Sequence, residues 1–180
     1  MNLILETERL LLRPLELSDA DEMFAMDNQA EVHQYLWQNP TQNIEETIKI
    51  IEMVQKQYET NKIGRFATIL KETNEFIGWT GIKFVNDHIE NGNTNFYDYG
   101  YRLHEKHWNK GYATEASIAW LDYGFNQMKI QEMNAYTHAE NGASNRVLEK
   151  VGMNFMENYP DESGVTWKWW QLENLEFRNQ

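Results

Sequence analysis

The residues that most directly suggest chemistry lie in the stretch HWNKGYATEASIAW, from His107 to Trp120. In it, Gly111 separates a polar and basic segment from a run of good helix formers. The first turn of a helix has backbone N–H groups without intrahelical partners and carries the positive end of the helix dipole. A glycine there lets a ligand approach the backbone, and Lys110 adds a full positive charge. The stretch therefore predicts an anion-binding turn, with an ordinary loop glycine beside a solvated lysine as the alternative.

The charge distribution supports the same interpretation. The formal net charge is -12, which argues against a nucleic-acid-binding protein because phosphate backbones are bound by lysine and arginine clusters. An acidic chain attracts cationic small molecules or basic peptides instead. Against this background, Arg102, Lys106 and Lys110 fall within nine positions. This local reversal of charge favours an anion site.

Composition limits the remaining chemistry. The 180 residues are 41% hydrophobic and 13% aromatic, and none of them is cysteine, so disulfides, thiolate metal sites and a cysteine nucleophile are excluded. The histidines at 33, 88, 104 and 107 show no metal-ligand spacing, and we predict no metal. No apolar run is long enough for a membrane span or signal peptide. We expect a cytoplasmic protein with a single domain over residues 1–180 and no membrane partner.

The first third of the chain predicts a strand and two helices. LLLRPL is typical of a strand ended by Pro14, and Ser18 with Asp21 is a capping signal for a helix through about Asn28. Asn43 is a good N-cap for a second helix, which should end near Asn61.

Three strands should follow and position the glycine turn. RFATILK, FIGWTGIKFV and NFYDYGYRL are rich in β-branched and aromatic residues, and Asn91-Gly92 between the last two indicates a reversal. These runs predict an antiparallel meander. The turn would then begin a helix from about Tyr112 to Gln127.

A parallel pair of strands is predicted around that helix. The strand EMNAYTH comes next, then a helix from about Ala143 to Lys150 ended by a left-handed Gly152, and two final strands. A strand, a crossover helix and a strand imply parallel pairing, with the helix N-terminus at the carboxyl end of the first strand, where α/β sheets usually bind ligands.

Known phosphate-binding motifs can be compared with the turn directly. The spacing of a P-loop and that of a dinucleotide-binding fold do not occur. WNKGYATEA instead resembles the pyrophosphate-binding motif of the GNAT superfamily of acyl-CoA-dependent N-acyltransferases, with Trp108, Gly111 and Ala113 at the motif positions. The tryptophan is the residue that the RimJ/RimL-like branch usually shows.

Two further segments strengthen this resemblance. NGASNRVLEKVGM, from Asn141, is similar to the family's later motif, and TERLLLRPLELSDADEMF is similar to the usual beginning of this branch. The resemblance implies an α/β (α+β) GNAT fold, with a mixed, mostly antiparallel twisted sheet of six to seven strands, a splayed parallel pair and flanking helices. Two positions depart from the branch: Asn109 replaces a glycine, although asparagine also tolerates a left-handed backbone, and Asp98 replaces a longer glutamate.

The resemblance also implies where acetyl-CoA, the expected co-substrate, would bind. The pantetheine arm would pair with backbone groups of the strand before the turn, the pyrophosphate would lie on the N–H groups of the turn, and Asn141 would hold the pantetheine amides from the other side, with loop capping as its alternative role. The expected cofactor-binding residues are Tyr101, Arg102, Leu103, Trp108, Asn109, Lys110, Gly111, Tyr112, Ala113, Thr114, Asn141 and Ser144.

Acetyl transfer requires a neutral amine, stabilisation of an oxyanion and protonation of the departing thiolate. Ser144 is the candidate proton or hydrogen-bond donor to the sulfur, with helix capping as its alternative role. Asp98 is the leading candidate for the general base, acting directly or through water, with a solvated strand-edge aspartate as the alternative. His138 is a rival base.

The predicted function is transfer of an acetyl group from acetyl-CoA to a primary amine by direct attack in a ternary complex. The acceptor would be a protein N-terminus, an amino acid, a polyamine or another small amine. The alternative is a non-catalytic acyl-CoA-binding or regulatory module. The tryptophans at 167, 169 and 170 could form a wall of the acceptor pocket, the core or a subunit contact, and a homodimer is one expected arrangement.

Overall fold

The computed structural model describes residues 3–36 and 40–177. Its strands are β1 (Leu5–Glu6), β2 (Leu10–Pro14), β3 (Arg65–Leu70), β4 (Glu75–Val85), β5 (Phe96–Leu103), β6 (Glu132–His138), β7 (Asn154–Pro160) and β8 (Thr166–Glu173). They form one sheet in the order β1-β2-β3-β4-β5-β6-β8-β7. Neighbouring strands are antiparallel except β5 and β6, which are parallel.

The helices flank this sheet. They are α1 (Ala20–Asp27), α2 (Ala30–His33), α3 (Ile44–Thr60), α4 (Tyr112–Asp122), α5 (Gly142–Lys150) and α6 (Asn174–Phe177). No helix in residues 3–36 or 40–177 is long and apolar enough to cross a membrane.

The predicted topology is confirmed. The meander β3-β4-β5, the crossover helix α4 and the parallel strand β6 occur in the predicted order. The turn between β4 and β5 also forms as predicted, with Asn91 and Gly92 both at positive φ. The sheet has one strand more than the expected six to seven because Leu5–Glu6 pairs with β2 as a short edge strand.

The predicted start of α1 is wrong. A short 3₁₀ turn over Leu17–Asp19 precedes the helix, and Ser18 bonds to the side chain of Glu16. Asp19 stabilises the turn because its carboxylate accepts the Glu16 N–H at 2.8 Å and binds Arg13. The end of the helix agrees with the prediction, since α1 ends at Asp27.

The predicted start and end of α3 are confirmed. The side chain of Asn43 accepts the backbone N–H of Glu46, and the helix ends beside Asn61. Its buried stripe includes Ile51, Val54 and Tyr58, so packing of this face adds to the stabilisation of about 1 kcal/mol expected from the cap.

Helix α4 packs across one face of the sheet. Trp120 is fully buried, lies edge-on against Phe66 of β3 and donates its indole N–H to Thr80 of β4 at 2.9 Å. The regular helix ends at Asp122, and a π-helical turn continues to Gln127. The burial of Trp120 fixes α4, and with it the glycine turn at its N-terminus, against the sheet.

The parallel strands diverge. β4 pairs with β5 over the full length of β5, whereas the register between β5 and β6 consists of Asp98 opposite Asn134 within these described strands. Beyond Asp98, the two strands separate toward their carboxyl ends. The resulting gap lies beside the N-termini of α4 and α5.

Candidate active site

The gap between β5 and β6 opens into a cleft with a volume of about 500 Å³. Its walls come from α2, from strands β3 to β6 and β8, from the beginning of α4 and from α5. Lys110 is the predicted site residue that does not line it. The predicted residues that do are Asp98, Tyr101, Arg102, Leu103, Trp108, Asn109, Gly111, Tyr112, Ala113, Thr114, Asn141 and Ser144.

The glycine turn presents free backbone donors to the cleft. Gly111 is the N-cap residue of α4 with φ of 83°, and no side chain caps the helix there. Asn109 has φ of 60°, so the expectation that asparagine would keep a left-handed conformation is confirmed. The opening N–H groups of α4 therefore have no intrahelical acceptor, and the dipole adds partial positive charge. This arrangement suits an anion.

Arg9 holds this turn in place, a role that the sequence interpretation missed. Its guanidinium donates to the carbonyl of Lys110 at 3.0 Å and forms an ion pair with Glu115 at 2.6 Å. It also lies 4.6 Å from the ring centroid of Tyr112. Burial raises the pKa of Glu115, but hydrogen bonds from Thr7 and Arg9 outweigh it and lower the pKa overall. Arg9 belongs to the TERLLLRP segment, which was the available signal.

The basic cluster seen in the sequence does not converge on the turn, so that part of the prediction is wrong. Arg102 forms an ion pair with Asp27 at 2.7 Å, and Lys106 forms one with Glu75 at 2.5 Å. The hydrogen bond from Lys106 lowers the pKa of Glu75. Residues that are close in sequence point in different directions along a strand and its following turn. Arg102 and Lys106 therefore each meet a different carboxylate, and their charges are neutralised there.

Two basic residues on α5 line the cleft instead. Arg146 and Lys150 are four positions apart and therefore share one face of the helix. Their charges face the same cleft as the N-terminus of α4. The positive potential of the site thus comes from these two residues of α5 and from the dipole of α4.

Ser144 and Tyr101 form a hydroxyl pair inside the cleft. Their oxygens are 2.8 Å apart, and burial raises the pKa of Tyr101 to about 12. Asn141 caps α5 by accepting the backbone N–H of Ser144 at 3.0 Å. The cap uses the side-chain oxygen of Asn141 and leaves its amide N–H₂ without a partner among the described residues. Ser144 thus contributes its backbone to the cap while its hydroxyl stays within the cleft.

The carbonyl of Leu103 is already engaged. Trp108 donates its indole N–H to this oxygen at 2.8 Å, which fixes the ring at the end of β5. Backbone pairing with a ligand along this strand would then fall to Tyr101 and to the N–H of Leu103, because the backbone of Arg102 faces Trp79 of β4.

The two faces of β5 carry different chemistry. Tyr99 bonds Ser117 of α4 at 2.7 Å, and Tyr101 bonds Ser144 of α5, so these alternate residues face the two helices. Asp98, Gly100 and Arg102 point to the opposite face. The gap between β5 and β6 connects the two faces.

Asp98 is buried beside Arg65. The Asp98 residue is 3% exposed, and a guanidinium nitrogen of Arg65 contacts its carboxylate while another donates to its backbone carbonyl at 2.9 Å. A Cβ on Gly100 would come within 2.7 Å of Arg65, so a side chain there would displace the guanidinium that crosses this strand. Burial raises the pKa of Asp98, although Arg65 acts in the opposite direction. The alternative of a solvated strand-edge aspartate is therefore wrong.

Trp79 lies between two arginines on this face. The guanidinium carbons of Arg65 and Arg102 are 5.5 Å and 5.2 Å from the centre of its ring. Each arginine is also paired with a buried carboxylate, Asp98 or Asp27. This part of the cleft is consequently rigid and close to electrically neutral.

Aromatic residues close the cleft on the same face. Tyr35, Tyr136, His138 and Trp167 line it. Trp167 thus fits the predicted pocket wall and is also buried in one hydrophobic cluster with Trp169, whereas Trp170 belongs to the main core. No group of three histidine, aspartate or glutamate side chains in the described part of the chain is arranged to hold a metal ion.

Comparison with known proteins identifies this arrangement. The model of the acetyltransferase (GNAT) domain family matches residues 9–154. An uncharacterized N-acetyltransferase, p20, from Bacillus licheniformis is 34% identical over 147 residues, which are 82% of this chain and 80% of that protein.

Solved structures show the same fold. A GNAT-family acetyltransferase from Bacillus anthracis has a TM-score of 0.79 and 27% identity, covering 96% of this chain and 99% of that one. The RimL ribosomal L7/L12 alpha-N-protein acetyltransferase, solved in complex with coenzyme A, has a TM-score of 0.80 at 18% identity, covering 95% of this chain and 98% of that one.

Proposed function

This chain belongs to the GNAT family of acetyltransferases, and from that premise we propose that a primary amine attacks the thioester of acetyl-CoA directly within its cleft. The family establishes an acyl-CoA-dependent N-acetyltransferase that passes an acetyl group to an amine. The direct attack in a ternary complex, the role of each residue and the kind of amine are our proposals.

The observation that carries the proposal is the uncapped N-terminus of α4, which opens onto the gap between β5 and β6. Its N–H groups and left-handed turn suit the pyrophosphate of coenzyme A, with Arg9 supporting the turn from behind. The pantetheine arm would enter the gap beside Tyr101, where the free amide of Asn141 can donate to its carbonyl groups. The thioester would then lie near Asp98, where the strands come together.

We assign general-base catalysis to Asp98, because it lies at the closed end of the gap and burial raises the pKa of its carboxyl group. The amine nitrogen forms a bond to the acetyl carbon and transfers its proton to Asp98, directly or through water. The carbon–sulfur bond then breaks and the electron pair stays on sulfur.

We assign protonation of the departing thiolate to Ser144. Its hydroxyl donates the proton and takes up the phenol proton of Tyr101, 2.8 Å away, and the phenol regains a proton from bulk water. The phenol stays neutral because burial raises its pKa to about 12, so the pair can pass a proton without holding a charge. From the sequence, Tyr101 was expected to contribute only backbone contacts. The role of its phenol is suggested by its contact with Ser144 in the tertiary structure.

The acceptor remains open within the amine class. We propose membership of the RimJ/RimL-like branch, supported by Trp108 and the opening TERLLLRP segment. One neighbour of the same fold acetylates the N-terminus of a ribosomal protein, as its name states, which makes protein N-terminal amines one acceptor class to test beside amino acids, polyamines and other small amines. We also retain the predictions of a single domain over residues 1–180, a cytoplasmic location and a homodimer.

Release of free coenzyme A tests the proposal. The full chain is incubated with acetyl-CoA and a mixture of primary amines, and thiol release is compared with a sample without amine. We expect amine-dependent release, with acetylated amine detected by mass spectrometry. Tight binding of acetyl-CoA without any turnover would instead support the alternative, a non-catalytic acyl-CoA-binding module.

A further inference from the structure

His138 is held by aromatic contacts on two sides at the aromatic end of the cleft. Its ring centre lies 5.4 Å from that of Tyr35 and 5.8 Å from that of Trp167. Trp167 is fixed in turn, because its indole N–H donates to Asp161 at 2.9 Å. The orientation of the imidazole is therefore set by elements from three parts of the chain.

The carboxylate of Asp161 makes this arrangement rigid. Its other oxygen accepts the backbone N–H groups of Ser163 at 2.9 Å and Val165 at 3.0 Å, so one side chain holds both the β7–β8 turn and the indole. Hydrogen bonds, first from Ser163 and then from Trp167, lower the pKa of Asp161 to about 2. It therefore remains an acceptor across the ordinary pH range.

The hydrogen bond to the backbone determines which nitrogen of His138 carries a proton. The N–H of Glu140 donates to Nδ1 at 3.1 Å, so Nδ1 has no hydrogen in the neutral ring and Nε2 must carry it. Protonation of the ring would add a hydrogen at Nδ1 and leave the one at Nε2 in place. Nε2 is thus a donor in either state, and it has no partner among the described residues.

This geometry is unfavourable for the role of general base. To accept a proton from an amine, His138 would have to use Nδ1, which faces its own backbone at Glu140, and break that bond. A ring held in this way is suited to orienting a ligand. Its Nε2–H requires an oxygen or nitrogen lone pair opposite it.

The position of His138 indicates that the group opposite its Nε2–H belongs to the amine acceptor and not to the cofactor. Tyr101 and Ser144 lie on the face of the sheet that carries α4 and α5, where the cofactor is proposed to bind. His138 contacts the tilted ring of Tyr35 after α2, and it lies on the face that also carries Asp98 because Asp98 is opposite Asn134 of β6. The arginines of this face are paired with carboxylates, so charge selects weakly here and a directional hydrogen bond selects more strongly.

We propose that His138 is a specificity-determining residue that donates from Nε2 to an oxygen of the acceptor. The favoured acceptors are primary amines with a carbonyl, carboxylate or hydroxyl oxygen within a few bonds of the nitrogen. Alkylamines that lack such an oxygen leave the donor unpaired against aromatic walls, which is unfavourable. The inference rests on the proposed acetyl transfer and adds the class of acceptor.

A matched pair of acceptors and a matched pair of variants test this. Glycinamide and isobutylamine have the same heavy-atom skeleton, but only the first carries an oxygen. H138F keeps a flat ring without the N–H, and H88F makes the same change at an exposed loop histidine that does not line the cleft. For each protein, kcat/KM is measured with both amines across a range of pH.

We expect H138F to lower kcat/KM for glycinamide roughly 3- to 10-fold, the net contribution of one neutral hydrogen bond, and to leave isobutylamine within about 2-fold. H88F should change neither. Ratios of variant to parent cancel the different basicities of the two amines. An equal loss with both amines, or loss of the acidic limb of the pH profile with both, would overturn the proposal in favour of a structural or a base role.

Nitrogen NMR of the labelled full chain gives a second readout that does not depend on turnover. We expect the neutral His138 ring to carry its proton on Nε2, and a proton on Nδ1 would contradict the inference. If the parent binds acetyl-CoA but acetylates neither amine nor any in the mixture, the proposed function fails. The protonated nitrogen observed by NMR still decides separately whether Nε2 is a donor.

Discussion

Replacement of Gly111 by valine tests the assignment of the glycine turn to the pyrophosphate. Gly111 has φ of 83°, a conformation that costs an ordinary L-residue about 1–2 kcal/mol and a β-branched residue more. A Cβ at this position would lie 3.3 Å from the guanidinium of Arg9, which can move aside. The new γ-methyl groups would then compete with the ligand for the space above the α4 N–H groups.

The expected loss of affinity follows from these two effects. If the turn relaxes in the free protein, binding must restore the strained backbone at a cost of about 1–2 kcal/mol. Losing even one hydrogen bond to a phosphate oxygen adds about 1.5–3 kcal/mol. The total of about 2.5–5 kcal/mol corresponds to a Kd for acetyl-CoA that is roughly 100-fold or more above that of the parent.

Isothermal titration calorimetry with acetyl-CoA measures this change, and G92V is the matched control. Gly92 also has positive φ, at 72°, but a Cβ there would meet nothing within 4 Å. It lies in the turn between β4 and β5 and outside the cleft. G92V should therefore lower the melting temperature through the same backbone strain without changing the Kd. If folded G111V binds acetyl-CoA as tightly as G92V does, the assignment of the turn to pyrophosphate is refuted.

Three further predictions concern catalysis and stability. S144A should lower kcat by about 10- to 1,000-fold while changing the Kd for acetyl-CoA little, and steady-state kinetics showing an unchanged kcat would restrict the serine to capping. The pKa of Glu115 is lowered from 4.5 in the folded protein, so its contribution to stability is present above pH 4.5 and is lost as the pH falls through the folded value. Urea unfolding should therefore show that E115Q is destabilised at pH 7 by an amount that shrinks in acid. A difference that stays constant with pH would contradict this. N43A should lower the free energy of unfolding by about 1 kcal/mol and leave coenzyme A binding intact, whereas no loss in chemical denaturation would mean that the cap contributes nothing.

Local patterns were sufficient for much of the fold. Alternating β-branched and aromatic residues identify strands, and Asn43 identifies the start of α3, because both signals act through neighbours a few residues apart. The start of α1 was misplaced at Ser18 because Asp19 competes for the same backbone donors and also binds Arg13. That competition depends on a residue of β2, which a local capping pattern does not include.

The candidate site also has a part that the local sequence predicted and a part that it did not. The turn around Gly111 was predicted from sequence because a backbone site needs only a local conformation and a helix beginning. The partner of Arg102 was not predicted. Arg102 is close to the turn in sequence, but its guanidinium lies on the opposite face of β5 and pairs with Asp27 of α1.

The sequence by itself determined the order of elements, the glycine turn at the beginning of α4 and the resemblance to acetyl-CoA-dependent acyltransferases. The tertiary structure alone decided that Tyr101 meets Ser144, 43 positions away, that Arg65 meets Asp98, 33 positions away, and that the N–H of Glu140 leaves the proton of the neutral His138 ring on Nε2. Side-chain contacts between separate elements depend on strand register and on which face each residue occupies. A one-residue change in register would reverse every one of those faces without altering the local pattern.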